Sequence, residues 1–166
     1  VARTGIVYDG SAVARENGAY IPAQALKYVA SDSGSGIADC YVRMPGTAYY
    51  TDYVSGAQLT AEGTYYFKCI DRAGNVSEVT SVTLDKTEPK GLLYAGGTGI
   101  PNGSATNAEY IAFEAYDAIG IMECYVKKPN ANKYEAYVPG THLAEEGEYS
   151  FYAKDLSGRS SGACTL

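Results

Sequence analysis

Apolar and polar residues alternate along this chain in short runs. Residues 63–70 place Tyr65, Phe67 and Cys69 on one face and Tyr66, Lys68 and Ile70 on the other. A period of two residues is the mark of a β-strand with one buried and one wet face. Residues 5–9, 23–31, 37–44, 48–54 and 77–84 read as further strands. Turn chemistry separates them: Asp-Ser-Gly-Ser-Gly at 32–36, Pro45-Gly46, and Asp-Arg-Ala-Gly-Asn at 71–75. Asp and Asn bond their own backbone in such turns, and Gly or Asn takes a positive φ at low cost. Few segments offer ten residues of helical periodicity, so the pattern predicts strands without crossover helices.

The pattern occurs twice. Residues 36–82 align without gaps on 120–166, and 18 of these 47 positions are identical. Cys40-Tyr41-Val42 falls on Cys124-Tyr125-Val126, Pro45 on Pro129, and Tyr53-Val54 on Tyr137-Val138. Upstream, Asp32 pairs with Asp117, Tyr28 with Phe113 and Gly5 with Gly91 after small gaps. Self-similarity of this kind signals tandem modules. The predicted fold class is all-β: two tandem immunoglobulin-like β-sandwich domains of about seven strands each, over residues 1–86 and 87–166. The chain starts at Val1 and stops at Leu166 inside an expected strand. It is therefore expected to be a fragment of a longer protein, with its C-terminal strand cut.

Four motifs carry a resemblance: Asp-x-x-Ser-Gly-Ile ending at Ile37, Glu-Gly-x-Tyr-x-Phe at 62–67, Asp-x-Ala-Gly-Asn at 71–75, and Asp-Lys-Thr-x-Pro at 85–89. Together they resemble bacterial immunoglobulin-like repeats, which build stalks of large surface and secreted proteins. The resemblance spans nearly the whole chain. The second copy departs from it at Asp-Ala-Ile-Gly-Ile, 117–121, and at Asp-Leu-Ser-Gly-Arg, 155–159. The resemblance implies an extracellular, multidomain bacterial setting and names no ligand, since one fold hosts many functions.

Charge narrows the partners. The net charge is −6 and the only adjacent basic pair is Lys127-Lys128. Phosphate backbones and anionic membranes need clustered Lys or Arg, so no nucleic acid partner is expected. No run of 18 apolar residues occurs, so no membrane insertion is expected.

Candidate chemistry is sparse. Cys40, Cys69, Cys124 and Cys164 should face the interior by alternation. Their spacing does not fit a zinc or CxxC redox pair. Cys40 and Cys69 lie on strands expected to be neighbours, so free thiols and a bridge both stand as readings. Asp32, Asp71, Asp117 and Asp155 recur at turns, where the expected role is capping backbone N–H groups, not binding calcium. His142 is the only histidine and Gln58 holds its place in the first copy. No Ser-His-Asp set can be assembled there. No catalytic residue, metal site or cofactor is expected. Tyr50, Tyr53, Tyr134 and Tyr137 are the candidate ligand-binding residues, because a phenol offers a flat apolar face and a hydroxyl to a sugar or protein. The alternative is cross-strand packing on a pleated sheet.

The expected function is a non-catalytic structural spacer in a larger bacterial surface or secreted protein, its partners being flanking domains of the same parent. The alternative is an adhesin or a carbohydrate- or protein-binding module. It would use the tyrosines and the loops at 11–20 and 95–107, which differ most between the copies.

Overall fold

The computed structural model describes residues 3–166 and divides the chain into two compact units, Val1–Lys86 and Thr87–Leu166. Each has its own apolar interior.

The described residues of the first unit form β1 (Arg3–Asp9), β2 (Ala14–Arg15), β3 (Tyr20–Pro22), β4 (Leu26–Asp32), β5 (Ile37–Arg43), β6 (Thr51–Tyr53), β7 (Gln58–Leu59), β8 (Gly63–Asp71) and β9 (Thr80–Asp85). One sheet runs β2-β1-β4-β7 and the other β3-β9-β8-β5-β6. The pairs are antiparallel except β3 on β9, which is parallel. The expected strand at 48–54 shrinks to Thr51–Tyr53, and the expected loop at 11–20 holds β2 and the first residue of β3. Alternation missed these pieces because two or three residues are too few to show a period.

The second unit repeats the plan with β10 (Lys90–Ala95), β11 (Thr98–Ile100), β12 (Ile111–Tyr116), β13 (Ile121–Lys127), β14 (Glu135–Tyr137), β15 (Ser150–Asp155) and β16 (Cys164–Thr165). Its sheets run β11-β10-β12 and β14-β13-β15-β16. Both units are immunoglobulin-like β-sandwiches, and the chain is all-β.

The alternation of β8 is realised: Tyr65, Phe67 and Cys69 are buried, and Tyr66, Lys68 and Ile70 are half-buried. Across the interior, Tyr28 of β4 stacks on Phe67 with centroids 4.7 Å apart and planes 7° from parallel. Phe113 stacks on Phe151 in the second unit at 5.0 Å. Room for each ring comes from a glycine on the neighbouring strand. A Cβ on Gly5 would lie 1.9 Å from the Tyr28 ring, and one on Gly91 2.5 Å from Phe113.

A second glycine pair explains the Glu-Gly-x-Tyr-x-Phe motif. Gly63 and Gly147 have φ of 127° and 133°, and a Cβ there would meet Pro45 or Pro129 at 2.7 or 2.6 Å. Only glycine meets both demands. Two residues on, the Tyr65 hydroxyl donates to Ala61 O at 2.6 Å and the Tyr149 hydroxyl to Glu145 O at 2.9 Å. This is the tyrosine corner of immunoglobulin folds.

An Asn-Gly pair clips the last strand in each unit. Asn17 Oδ1 accepts the Ser81 N–H at 2.7 Å while the Gly18 N–H donates to Ser81 O at 2.7 Å. Asn102 and Gly103 hold Thr165 in the same way, at 2.6 and 2.8 Å.

Candidate functional site

Four tyrosines were singled out by sequence, and the structure separates them into two pairs. Tyr53 and Tyr137 are corrected from surface to interior: they are 8% and 7% exposed. Tyr53 pairs with Cys40 across β5–β6, which turns its ring onto Phe67. Its hydroxyl accepts the Tyr28 N–H at 3.0 Å and donates to Ala57 O, so a side chain of one sheet satisfies a backbone N–H of the other where β7 has ended. Tyr137 accepts from the Phe113 N–H at 3.1 Å and donates to Thr141 O. These hydroxyls are structural. Tyr53→Phe and Tyr137→Phe each strand a buried backbone N–H, which costs about 1–3 kcal/mol. Urea midpoints of the two variants should fall, whereas Tyr50→Phe should leave the midpoint unmoved.

Tyr50 and Tyr134 lie on the outer face of the β5–β8 and β13–β15 sheets. In the first unit Lys68 Nζ sits 4.2 Å from the Tyr50 centroid and 5.8 Å from that of Tyr41, its direct partner across the ladder. Arg43 covers Tyr66, the next pair along, at 3.8 Å. A cation over a ring face contributes about 0.5–1 kcal/mol when partly exposed. In the second unit, Tyr152 replaces Lys68. Tyr125 stacks on it at 4.8 Å and Tyr134 meets it edge-on at 4.8 Å. The Tyr134 hydroxyl is 2.6 Å from Ser150 Oγ. Lys127 and Lys154 lie 5.9 and 5.8 Å from the Tyr134 and Tyr125 centroids. Tyr125 also bonds Glu123 through its hydroxyl, and that carboxylate raises the phenol to about 12.

Each unit thus carries a sheet face of half-buried rings bracketed by cations. Sequence reasoning missed Tyr41, Tyr66, Tyr125 and Tyr152 as members. The signal was present in the alternation Tyr41-x-Arg43 and Tyr66-x-Lys68, which puts ring and cation on one face.

The acids act at turns. Asp32 Oδ2 accepts from the N–H groups of Gly34 and Gly36, and Asp117 Oδ2 from those of Ile119 and Gly120. Asp71 Oδ1 takes the N–H of Ala73 and of Asn75, while Oδ2 takes the Asn75 amide and Arg3 at 2.9 Å. The Asn75 carboxamide leads in holding Asp71 down to about 2, with the Asn75 N–H and Arg3 adding to it against burial. Asp155 Oδ1 accepts the Arg159 N–H at 2.9 Å. Asp71 is depressed relative to an unfolded value near 3.9. Its contribution is therefore complete above about pH 4 and is lost as pH falls toward 2. Acid titration of stability should show this loss in the first unit, and Asp71→Asn should flatten it over that window.

All four thiols are free. Cys40 and Cys69 are direct partners across β5–β8, and Cys124 faces Ala153. Burial pushes the Cys40, Cys124 and Cys164 thiols up. His142 is exposed and stacks on Tyr110 at 3.7 Å.

Each unit, with its tyrosine corner, has an immunoglobulin-like β-sandwich fold. Neither a family model nor a curated protein matches the sequence. Among solved structures, the chain is similar to the fibronectin(III)-like modules of Clostridium thermocellum CbhA. Identity is 19% and the TM-score 0.39, over 96% of this chain and 90% of that one.

Proposed function

We propose that the chain is a structural spacer: two immunoglobulin-like modules that belong to a larger bacterial surface or secreted protein, act outside the cell and perform no catalysis. One observation carries this reading. Within each unit the chain enters at one end of the sandwich and leaves at the other. In the first unit Arg3 starts β1 beside the turn after β8, bonded to Asp71 and to Val76 O. The chain leaves at the far end of β8, where Gly63 pairs with Leu84 and the Lys86 N–H donates to Glu62. The nine residues of β8 separate these points by roughly 27 Å. In the second unit Thr87 bonds Asp117, beside the turn where Leu156 N–H meets Gly120 O, and Leu166 pairs with Tyr149, the residue just before β15.

Modules of this polarity can be strung in series. β1 and β9 lie in different sheets, so tension on the ends pulls each strand lengthwise along its ladder. Sliding loads all the bonds of a ladder at once, whereas peeling breaks them singly. That is the property a stalk needs. Stretching single molecules by their ends should give two resolved unfolding peaks, each releasing on the order of 250 Å of chain. Extension without peaks would remove the reading.

The outer ring face of the second unit favours a second reading, a binding module for a glycan or host protein. Tyr125, Tyr134 and Tyr152 form one contiguous aromatic group there. A glycan array and a host-protein array should show signal that Tyr152→Ala abolishes. Arrays without signal would leave the spacer reading alone.

A further inference from the structure

Cys40 of β5 and Cys69 of β8 are direct partners across their ladder, and both side chains enter the interior of the first unit. In a strand the N–H and C=O of one residue point to the same side, so opposed residues alternate between hydrogen-bonded and non-hydrogen-bonded pairs. Cys69 turns both groups away from β5. Its N–H donates to Ser77 Oγ at 2.9 Å, and its C=O accepts the Ser77 N–H at 2.8 Å. Cys40 and Cys69 are therefore a non-hydrogen-bonded pair. Such pairs hold their Cα atoms about 4.5 Å apart and bring their side chains closest. A disulfide needs Cα atoms about 4.4–6.8 Å apart, so the ladder itself sets the two thiols at a spacing that a bridge can span.

The second unit has the same place without the second sulfur. Cys124 stands where Cys40 does, and Ala153 faces it as Cys69 faces Cys40. Ala153 is fully buried, so the position packs without a thiol. The other cysteine of that unit, Cys164, pairs with Phe151 on the opposite side of β15. Two strand spacings of about 4.8 Å separate it from Cys124, beyond the roughly 7 Å that a bridge tolerates. The dithiol geometry belongs to the first unit.

We propose that Cys40 and Cys69 form an oxidation site, a dithiol that a small-molecule disulfide converts to a bridge within one sheet. The Cys40 thiolate attacks one sulfur of the oxidant, a mixed disulfide forms and one thiolate leaves. The Cys69 thiolate then attacks Cys40 Sγ, the mixed bond breaks and the second thiolate leaves. The protons given up by the two cysteines end on the two released thiols. Two protein thiols are oxidised and one oxidant disulfide is reduced. Cys40 and Cys69 are 6% and 0% exposed, so a closed unit offers the oxidant no approach. Burial, with Cys69 adding to it, also pushes the Cys40 thiol up and disfavours its thiolate there. The first attack therefore takes place while the unit is open, and the pairing of β5 with β8 delivers Cys69. Once closed, the bridge withholds residues 41–68 from extension and shortens the chain that the first unit can release by on the order of 100 Å.

The test brings the full chain to equilibrium with reduced and oxidised glutathione, either refolded from urea or kept unfolded in it. Free thiols are then trapped by alkylation and linked peptides identified by mass. The refolded chain should show a loss of two hydrogens on a Cys40–Cys69 link, with Cys124 and Cys164 alkylated. A bridge that fits the native fold is favoured by folding to the extent that it stabilises the fold. The linking constant should therefore be on the order of a hundredfold larger in the folded chain than in the unfolded one. Cys69→Ala, which copies Ala153, should fold and show no link. A constant no larger in the folded chain, a persistent glutathione adduct on Cys40, or a link through Cys124 or Cys164 instead overturns the proposal. Mass reports the bridge whether or not the chain serves as a spacer.

Discussion

Replacing Phe67 by alanine should remove about 3–5 kcal/mol from the first unit, the usual cost of deleting a buried phenyl and leaving its cavity. Three rings surround it: Tyr28 stacks at 4.7 Å, Tyr65 at 5.9 Å, and Tyr53 meets it edge-on at 5.5 Å. No single neighbour can collapse into the space, because Tyr53 and Tyr65 are tied by their hydroxyls to Ala57 and Ala61. A domain of this size is stable by about 5–15 kcal/mol in all, so the variant should lose a large share of its stability. Calorimetry should show the transition of the first unit lost or strongly lowered, with that of the second retained. Phe151→Ala should do the converse. If either substitution lowered both transitions equally, the two interiors would be one cooperative core.

Gly5→Ala should be as damaging, although it adds one methyl group. That carbon would sit 1.9 Å from both the Cζ and the hydroxyl of Tyr28. Tyr28 cannot step aside: its ring lies flat on Phe67 and its hydroxyl reaches Cys69 Sγ. Overpacking in a dense core costs about 1–3 kcal/mol, and the upper end or more is expected where a ring must leave its place. Gly91→Ala should cost less, since its nearest atom is 2.5 Å away on Phe113, which carries no hydroxyl. Urea midpoints of the two variants give the comparison. Tyr28→Leu in the Gly5→Ala background should restore part of the loss, and no restoration would place the strain elsewhere.

The sequence made the long strands legible because a strand such as β8 shows its period over nine residues. It could not show why Gly5 or Gly91 is glycine, since the reason is a ring on another strand. The site was legible only in part. Tyr50 and Tyr53 look alike as residues, and both sit in a tyrosine-rich run. What separates them is pairing: Tyr53 faces Cys40 across a ladder and so points inward, with Val54 turned out at 77% exposure. Hydropathy suggests the reverse for that pair. The inward tyrosine is accommodated because its hydroxyl finds the nearby Ala57 carbonyl and the Tyr28 N–H, and that second partner lies 25 residues away in sequence. The turn acids were legible at once, because an Asp two to four residues before the N–H groups it caps needs no distant partner for that role.

The Asn-Gly clips have a consequence for chemical ageing. Asparagine is a thermolabile residue. In an Asn-Gly dipeptide the glycine nitrogen attacks the side-chain amide, closes a succinimide and releases ammonia. In each sandwich both reacting groups are occupied. The Gly18 and Gly103 N–H groups are bonded to Ser81 O and Thr165 O, and the asparagine oxygens to the N–H groups of the same two residues. The native state thereby shields its two most vulnerable amides, and a mass increase at Asn17 or Asn102 in stored protein would record how often the last strand has let go.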